Sequence, residues 1–302
     1  MNPRSLLFVP ADSERKLARS ADAGADALIL DLEDAVAPER KPAARELARA
    51  FLESRRGAAP VELWVRINAL NTHDSRLDLA VIVGAGPYGL MVPKVDHPAD
   101  VAALSEDLSR LEVEAGIAAG STRLIVLLES PCAVLTAAGY LQTRLERLSG
   151  ITWGAEDLAA ALGVRSSRDP DGEWNFALRS ARLQCLLVAR ALVVDPIETV
   201  TTDFKNLDAL RAECLRARAA GFTAKLAIHP EQVGVINEAF QTSPAELEHA
   251  RRVIAAFEAA PGSGAVALDG SMIDIVHLHA ARRLLGGVDR SRRCRYSVSA
   301  PI

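Results

Sequence analysis

The sequence is poor in cysteine and in aromatic residues and carries no large excess of either charge, and each shortage removes a class of protein from consideration. Its four cysteines, Cys132, Cys185, Cys214 and Cys294, are scattered over 302 residues, with no two at metal-ligand spacing. They read as reduced packing thiols, which speaks against a disulfide scaffold and for a cytoplasmic protein. No apolar run approaches the roughly 20 residues that cross a bilayer. The opening MNPRSLLFVPADSER meets charge and proline too early for a secretory signal. A formal net charge of −4 gives no reason to expect nucleic acid or an anionic membrane as partner. No Gly-rich phosphate loop follows the first apolar run, where the sequence is FVPADSE, so the fingerprint of a doubly wound nucleotide-binding sheet is missing. There is no internal repeat and no low-complexity block.

What the chain has in plenty is Ala, Leu and Val, with 49% hydrophobic residues against 4% aromatic. That composition suits many helices packed on short buried strands. Apolar runs that read as strands fall at 5–9 (SLLFV), 27–32 (ALILDL), 61–67 (VELWVRI), 89–93 (GLMVP), 123–128 (RLIVLL), 150–153, 191–195 and 223–228 (TAKLAI). Helical stretches lie between them, among them 13–21, 38–54, 99–115, 206–219 and 231–239. Eight strand-then-helix units in about 250 residues is the count of a TIM (β/α)8 barrel. Beyond the eighth unit come a helix at 244–259, the turn-rich link AAPGSGAVALDG and a last helical segment over 272–285. This predicts a barrel domain over 1–260 and a helical C-terminal extension over 261–302, an appendage to the barrel.

TIM barrels stage their chemistry at the C-terminal ends of the strands. Three predicted strand ends carry carboxylates: Asp31, Glu33 and Asp34 after the second strand, Glu129 after the fifth, and Glu156 and Asp157 after the sixth. In LLESP, Ser130 is a good helix N-cap and Pro131 suits the first helical position, so the fifth strand stops at Leu128 or Glu129. A carboxylate at that boundary points into the barrel mouth. Glu129 and Asp157 sit on consecutive strands about 5 Å apart and can converge on one hard cation; Mg²⁺ commonly takes one or two protein carboxylates. The alternative is that each acid merely caps its helix and favours the dipole. With no His/Cys cluster in the sequence, zinc is disfavoured.

Arg66, near the end of VELWVRIN, needs an anionic partner: either a substrate carboxylate held bidentately or a neighbouring Asp or Glu. Lys94, in MVPKVD, poses the same question with less force and reads more readily as a supporting partner for strand-end carboxylates; Glu33 and Asp34 are likewise expected around the site rather than in it. His229, followed by Pro230, is as well explained by capping or packing as by chemistry, and proton transfer is not assigned to it.

At these motifs the sequence resembles the citrate lyase β-subunit-like family of the HpcH/HpaI aldolase superfamily. The matching stretches include RSLLFVPADSERKLARS, GADALILDLEDAVAPERK, VRIN, MVPKV, LIVLLES, WGAEDLAAALG, GFTAKLAIHPEQVGVINEAF and DGSMID, in the family's order over nearly the whole chain. The resemblance implies that Glu129 and Asp157 hold Mg²⁺ and that Arg66 grips the carboxylate of a 2-oxo acid. It implies that Asp274 reaches a neighbouring subunit's site as acid/base, and that Phe8, Val9 and Arg19 touch coenzyme A. Glu129, Glu156, Ile228 and His229 fall on the substrate side. Relatives often carry a basic residue where this chain has Ser13, which alters the expected phosphate contact. The implied partners are a small acyl-CoA thioester and a 2-oxo acid, in a homotrimer or hexamer. The implied reaction is Mg²⁺-dependent carbon–carbon cleavage. The rival readings are a thioester hydrolase or synthase, a coenzyme-free pyruvate aldolase, a β-subunit that works only on an acyl-carrier-protein thioester, and a degenerate assembly subunit.

Overall fold

The computed structural model describes residues 3–57 and 61–286. Strand and helix alternate as β1 (Ser5–Pro10), α1 (Glu14–Ser20), β2 (Ala27–Asp31), α2 (Lys41–Ser54), β3 (Glu62–Arg66), α3 (His73–Ile82), β4 (Gly89–Val92) and α4 (Pro98–Glu114). They continue as β5 (Arg123–Leu128), α5 (Pro131–Thr136), β6 (Leu148–Trp153), α6 (Ala155–Leu162), α7 (Phe176–Leu192), β7 (Asp195–Glu198), α8 (Leu207–Ala220), β8 (Ala224–Ala227) and α9 (Pro230–Phe240). The eight strands close in sequence order into a barrel, and every pairing is parallel. The TIM barrel read from the sequence is the fold observed.

A parallel barrel strand is buried on both faces, which is why runs such as ALILD are apolar without alternation. All five residues of β2 are buried. Residues of one parity, including Leu6, Ile29, Trp64, Met91, Ile125, Leu127, Ile197 and Leu226, fill the barrel interior. Those of the other parity, including Leu7, Leu28, Leu30, Val65, Leu90, Val126 and Ile151, pack beneath the helices. Caps set the helix starts. The Ser130 hydroxyl accepts the Ala133 N–H with Pro131 at the first position, as expected for α5, and Asn206 caps α8 in the same way.

Two elements differ from the sequence reading. The seventh strand, placed at 191–195, begins where that span ends: Ala191 and Leu192 finish α7, and Val193 at φ 57° turns the chain into β7. A 17-residue helix that ends on apolar residues and a strand that begins after them make one continuous apolar run, so period alone does not divide them. The segment predicted as helix from residue 272 opens as a strand. Ala265–Leu268 (β9) and Ser271–Asp274 (β10) form an antiparallel hairpin, and only then does α11 (Ile275–Leu284) start. Asp269 and Gly270, both at positive φ, make its two-residue turn, the backbone that Asp-Gly favours most.

The domain boundary also moves. The chain divides between Phe240 and Gln241, 20 residues before the expected break at 260, because α10 (Pro244–Glu258) shares a core with the hairpin and α11. That core consists of Ala250, Val253, Phe257, Ile273, Leu278 and Ala281. The extension is therefore a small α/β unit with its own interior. Residues 287–302 of the expected extension, Cys294 among them, lie outside the described residues. Of the other cysteines, Cys185 and Cys214 are buried and Cys132 half-buried, all free. No described helix is long and apolar enough to cross a membrane.

At the N-terminal side of the barrel, Arg147 donates from Nη1 and Nη2 to Glu112 at 2.8 and 2.7 Å, and the N–H groups of Gly120 and Thr122 complete the carboxylate's shell. Burial alone would raise the Glu112 pKa; these donors outweigh it and hold it at about 2. Arg147→Met strands that carboxylate and is expected to cost about 3 kcal/mol or more in urea denaturation at neutral pH, and the Glu112→Leu/Arg147→Met double variant less. Because the folded pKa is depressed, the stabilisation is present above the ordinary carboxylate range and is lost as pH falls towards 2. The gap between wild type and Arg147→Met should shrink in that direction.

Candidate active site

The C-terminal ends of β2, β3, β4 and β5 bring a compact set of charges together. Asp31 is the last residue of β2 and Arg66 the last of β3, paired in register. Arg66 donates from Nε to Asp31 Oδ1 at 2.7 Å and from Nη2 to Oδ2 at 2.6 Å, and its Nη1 lies 3.0 Å from Glu33 Oε2. The guanidinium also lies over the Phe8 ring of β1, 4.7 Å from its centroid. Of the two readings of Arg66, the ion pair with a neighbouring Asp or Glu is present. A guanidinium has five N–H groups and Asp31 accepts two of them, so the Nη1 edge remains available to a ligand. Burial would depress the Arg66 pKa, but Asp31 and Glu33 raise it, so the cation is permanent.

Asp31 is the residue whose importance the sequence reading did not assign. It is 1% exposed and also accepts the N–H groups of Glu33 and Ala35, so one side chain fixes both the arginine and the loop after β2. The available signal was its position as the final strand residue beside Arg66. That loop is held from below as well: Lys41 Nζ donates to the carbonyls of Leu32 and Glu33 and pairs with Asn68. Asn68 is fixed in turn by Asp78, which also binds Arg45.

Lys94 follows β4 with φ 51°, a left-handed conformation that costs a non-glycine residue about 1 kcal/mol. The turn aims its N–H at Glu129 Oε1, 2.7 Å away, while its Nζ reaches Glu33 at 2.6 Å and Asp34 at 3.0 Å. Glu129 directly follows β5 and is 4% exposed. Gly154, which caps α6, lies against it: a Cβ there would come within 2.6 Å of the Glu129 carboxylate. The glycine lets the acid occupy this position. Asp157 stands in the first turn of α6, half-buried, and acts electrostatically on Glu129. Burial, then Asp157, then Glu33 raise the Glu129 pKa to about 7, against the Lys94 N–H and Arg66. Two carboxylates that repel each other in this way are of the kind that could hold a hard divalent cation. Among the described residues no group of three or more His, Cys, Asp or Glu side chains is arranged for a metal.

The remaining predicted site residues are dispersed. Glu156 is exposed in the first turn of α6. Arg19 is exposed in the last turn of α1, and Val9 is 3% exposed and packed in the core beneath the helices, which withdraws its side chain from the barrel mouth. Ile228 and His229 follow β8. The imidazole accepts the Glu231 N–H through Nδ1 and stacks on Phe204, with centroids 4.6 Å apart, so it caps and packs as its sequence context allowed. Asp274 belongs to the C-terminal unit, where it caps α11. Its Oδ1 accepts the Val276 N–H at 3.0 Å and lies 2.7 Å from His277 Nδ1, a contact that lowers its pKa.

A raised carboxylate pKa destabilises the fold as pH climbs. The contribution of Glu129 is most favourable below the unfolded carboxylate value and is lost as pH rises through about 7. In chelating buffer, the stability of Glu129→Gln relative to wild type is expected to increase between pH 5 and pH 8 by up to about 3 kcal/mol, read by urea denaturation. A flat difference would contradict the buried, crowded state of this acid.

Residues 4–230 match the family model of HpcH/HpaI aldolase/citrate lyase. The chain is 37% identical to a (3S)-malyl-CoA thioesterase of Cereibacter sphaeroides over 287 residues, 93% of each chain. It is 34% identical to the citrate lyase subunit beta of Escherichia coli, over 95% of this chain and 94% of that one. Among solved structures it is similar to the CitE protein of Mycobacterium tuberculosis in complex with magnesium, acetoacetate and coenzyme A, with a TM-score of 0.73 at 34% identity, covering 94% of this chain and 97% of that one. With a barrel closed in the same order as its eight strands and relatives matched along nearly their full lengths, this chain belongs to the HpcH/HpaI aldolase/citrate lyase family.

Proposed function

We propose that the protein is a Mg²⁺-dependent carbon–carbon lyase that cleaves a 3-hydroxyacyl-CoA thioester of the citryl, citramalyl or malyl type. Its products are acetyl-CoA, or a close homologue, and a 2-oxo acid. The observation that carries this reading is the pairing of Glu129, buried and pushed up to about 7 beside Asp157, with the Arg66 guanidinium across the same barrel mouth. Magnesium- and coenzyme A-bound CitE of M. tuberculosis and its complex with oxaloacetate and magnesium support the cofactor and the substrate class. Glu129 and Asp157 would hold the ion; their oxygen-only donor set and surplus negative charge fit it. When bound, Mg²⁺ polarises the oxygen of the substrate hydroxyl and of the carbonyl it becomes, without a lysine Schiff base.

The chain's own groups do the rest. Arg66, held in one orientation by Asp31, turns its remaining N–H groups to the substrate carboxylate. Asp274, whose depressed pKa keeps it ionised, takes the hydroxyl proton. As that proton leaves, the carbon–oxygen bond becomes a carbonyl and the electron pair of the carbon–carbon bond passes into the thioester enolate, whose carbon then takes the proton back from Asp274 to give acetyl-CoA and restore the carboxylate. In this reading Asp274 is supplied by a neighbouring subunit of a homotrimer or hexamer working in the cytosol. Coenzyme A lies beside Phe8, Val9 and Arg19, and Glu156, Ile228 and His229 border the substrate.

The malyl-CoA thioesterase relatives favour a second reading, in which water attacks the thioester carbonyl at the same site. Product analysis separates the two: 2-oxo acid together with acetyl-CoA marks the lyase, and free thiol without 2-oxo acid the hydrolase. Run on free citryl-, citramalyl- and malyl-CoA with the purified chain, the same assay tests dependence on a carrier protein.

Glu129→Gln and Asp157→Asn are each expected to lower Mg²⁺-dependent turnover more than about a hundredfold. Full activity in either removes the metal assignment. Equimolar mixing of Asp274→Ala and Arg66→Ala subunits should restore up to about a quarter of wild-type activity if each site draws on two chains. No recovery in verified mixed oligomers would count against a site shared between two chains.

A further inference from the structure

Backbone pairing between β7 and β8 stops early. The register runs Ile197 to Ala224 and Glu198 to Lys225, and beyond it the two loops that rise to the barrel mouth share no strand pairing. Side chains take over in three tiers. Lys225, with no exposed surface, donates from Nζ to the Thr199 carbonyl at 2.6 Å. One level up, Gln232, also fully buried, donates from Nε2 to the Thr201 carbonyl at 2.9 Å. Its Oε1 accepts the N–H groups of Ile228 at 2.8 Å and His229 at 3.2 Å. Outermost, the Phe204 and His229 rings stack at an interplanar angle of 22°.

A single primary amide thus binds the loop after β7 to the loop after β8, and an aromatic pair repeats the connection at the surface. We propose that Gln232 and Phe204 are positioning residues that make these two loops one rigid wall for the coenzyme end of the substrate. The proposal rests on the reading of the site as one for an acyl-CoA thioester. The wall rises from β7 and β8, and β8 stands opposite the strands that lead to Arg66 and Glu129, β3 and β5, in the closed order of the barrel. A wall that touches the non-reacting part of the substrate contributes equally to ground and transition states. Its loss therefore raises KM and leaves kcat in place.

The test compares Gln232→Leu, Gln232→Glu, Phe204→Ala and Phe204→Tyr with wild type, on whichever of citryl-, citramalyl- and malyl-CoA the wild type turns over best. Gln232→Leu leaves two N–H groups and a carbonyl unpaired and is expected to raise KM about tenfold, with kcat within about twofold. Gln232→Glu keeps the acceptor for the β8 loop but loses the donor to Thr201, and should show a smaller rise. Phe204→Ala, at the surface, should raise KM about threefold, and Phe204→Tyr should restore it. Should Gln232→Leu not fold, Gln232→Glu and the Phe204 pair carry the test. Unchanged KM, or a fall in kcat at constant KM, overturns the proposal. Amide exchange decides the clamp without any substrate: residues 199–204 should exchange faster in Gln232→Glu than in wild type, and equal rates overturn it. A wild type that cleaves no thioester but shows this faster exchange in the variant condemns the functional reading and leaves the clamp standing.

Discussion

The Asp31–Arg66 pair is the constraint on which the mouth of this barrel depends. A guanidinium at the end of a parallel strand, among apolar neighbours, is unstable without a partner of fixed geometry, and the adjacent strand end supplies one in register. Because the carboxylate binds Nε and Nη2 together, the plane of the guanidinium is set before any ligand arrives. The same carboxylate accepts two backbone N–H groups of the following loop, which brings Glu33 to the arginine's other edge.

From that pair the charges propagate outward. Glu33 is shared between Arg66 and Lys94, and Lys94 spends a left-handed backbone conformation to present its N–H to Glu129 and its ammonium to Glu33 and Asp34. Glu129 has a single hydrogen-bond donor in this arrangement and two acidic neighbours, and it is the acid pushed furthest from its ordinary value in the mouth. Basic partners thus pair with Asp31 and Glu33, although Glu33 Oε2 accepts no hydrogen bond, while Glu129 and Asp157 are left with an excess of negative charge. That imbalance is what the proposed cation would neutralise, and a ring of helix caps would not show it, since caps are satisfied by the backbone of their own helix.

The C-terminal unit shows a different economy. Asp274 is at once the last residue of a hairpin strand and the cap of α11, so its position is determined by two elements that meet. The turn that sets the hairpin, Asp269–Gly270, is a strong local signal, but the apolar MIDIVHLHAARRLL that follows fits a helix equally well up to the first residues. The strand wins there because β9 offers it a pairing partner, and that partner is visible only when the turn is given its full weight.

The sequence by itself determined the barrel, since eight doubly buried strands divided by amphipathic helices have few other ways to close. It also determined which strand ends carry acid or base, because Ser130–Pro131 and Gly154 fix where β5 and β6 stop. Tertiary structure decided what those groups do to one another. Arg66 could be placed at the mouth from its strand position, but its commitment to Asp31 depends on a register between strands 35 residues apart. The elevated pKa of Glu129 depends on depth and on neighbours from β2 and α6, and the bond from Gln232 to Thr201 spans 31 residues. Strand periodicity and caps are local and are written in adjacent residues. Distances between loops and the electrostatics of a shared cavity arise only once the barrel has closed.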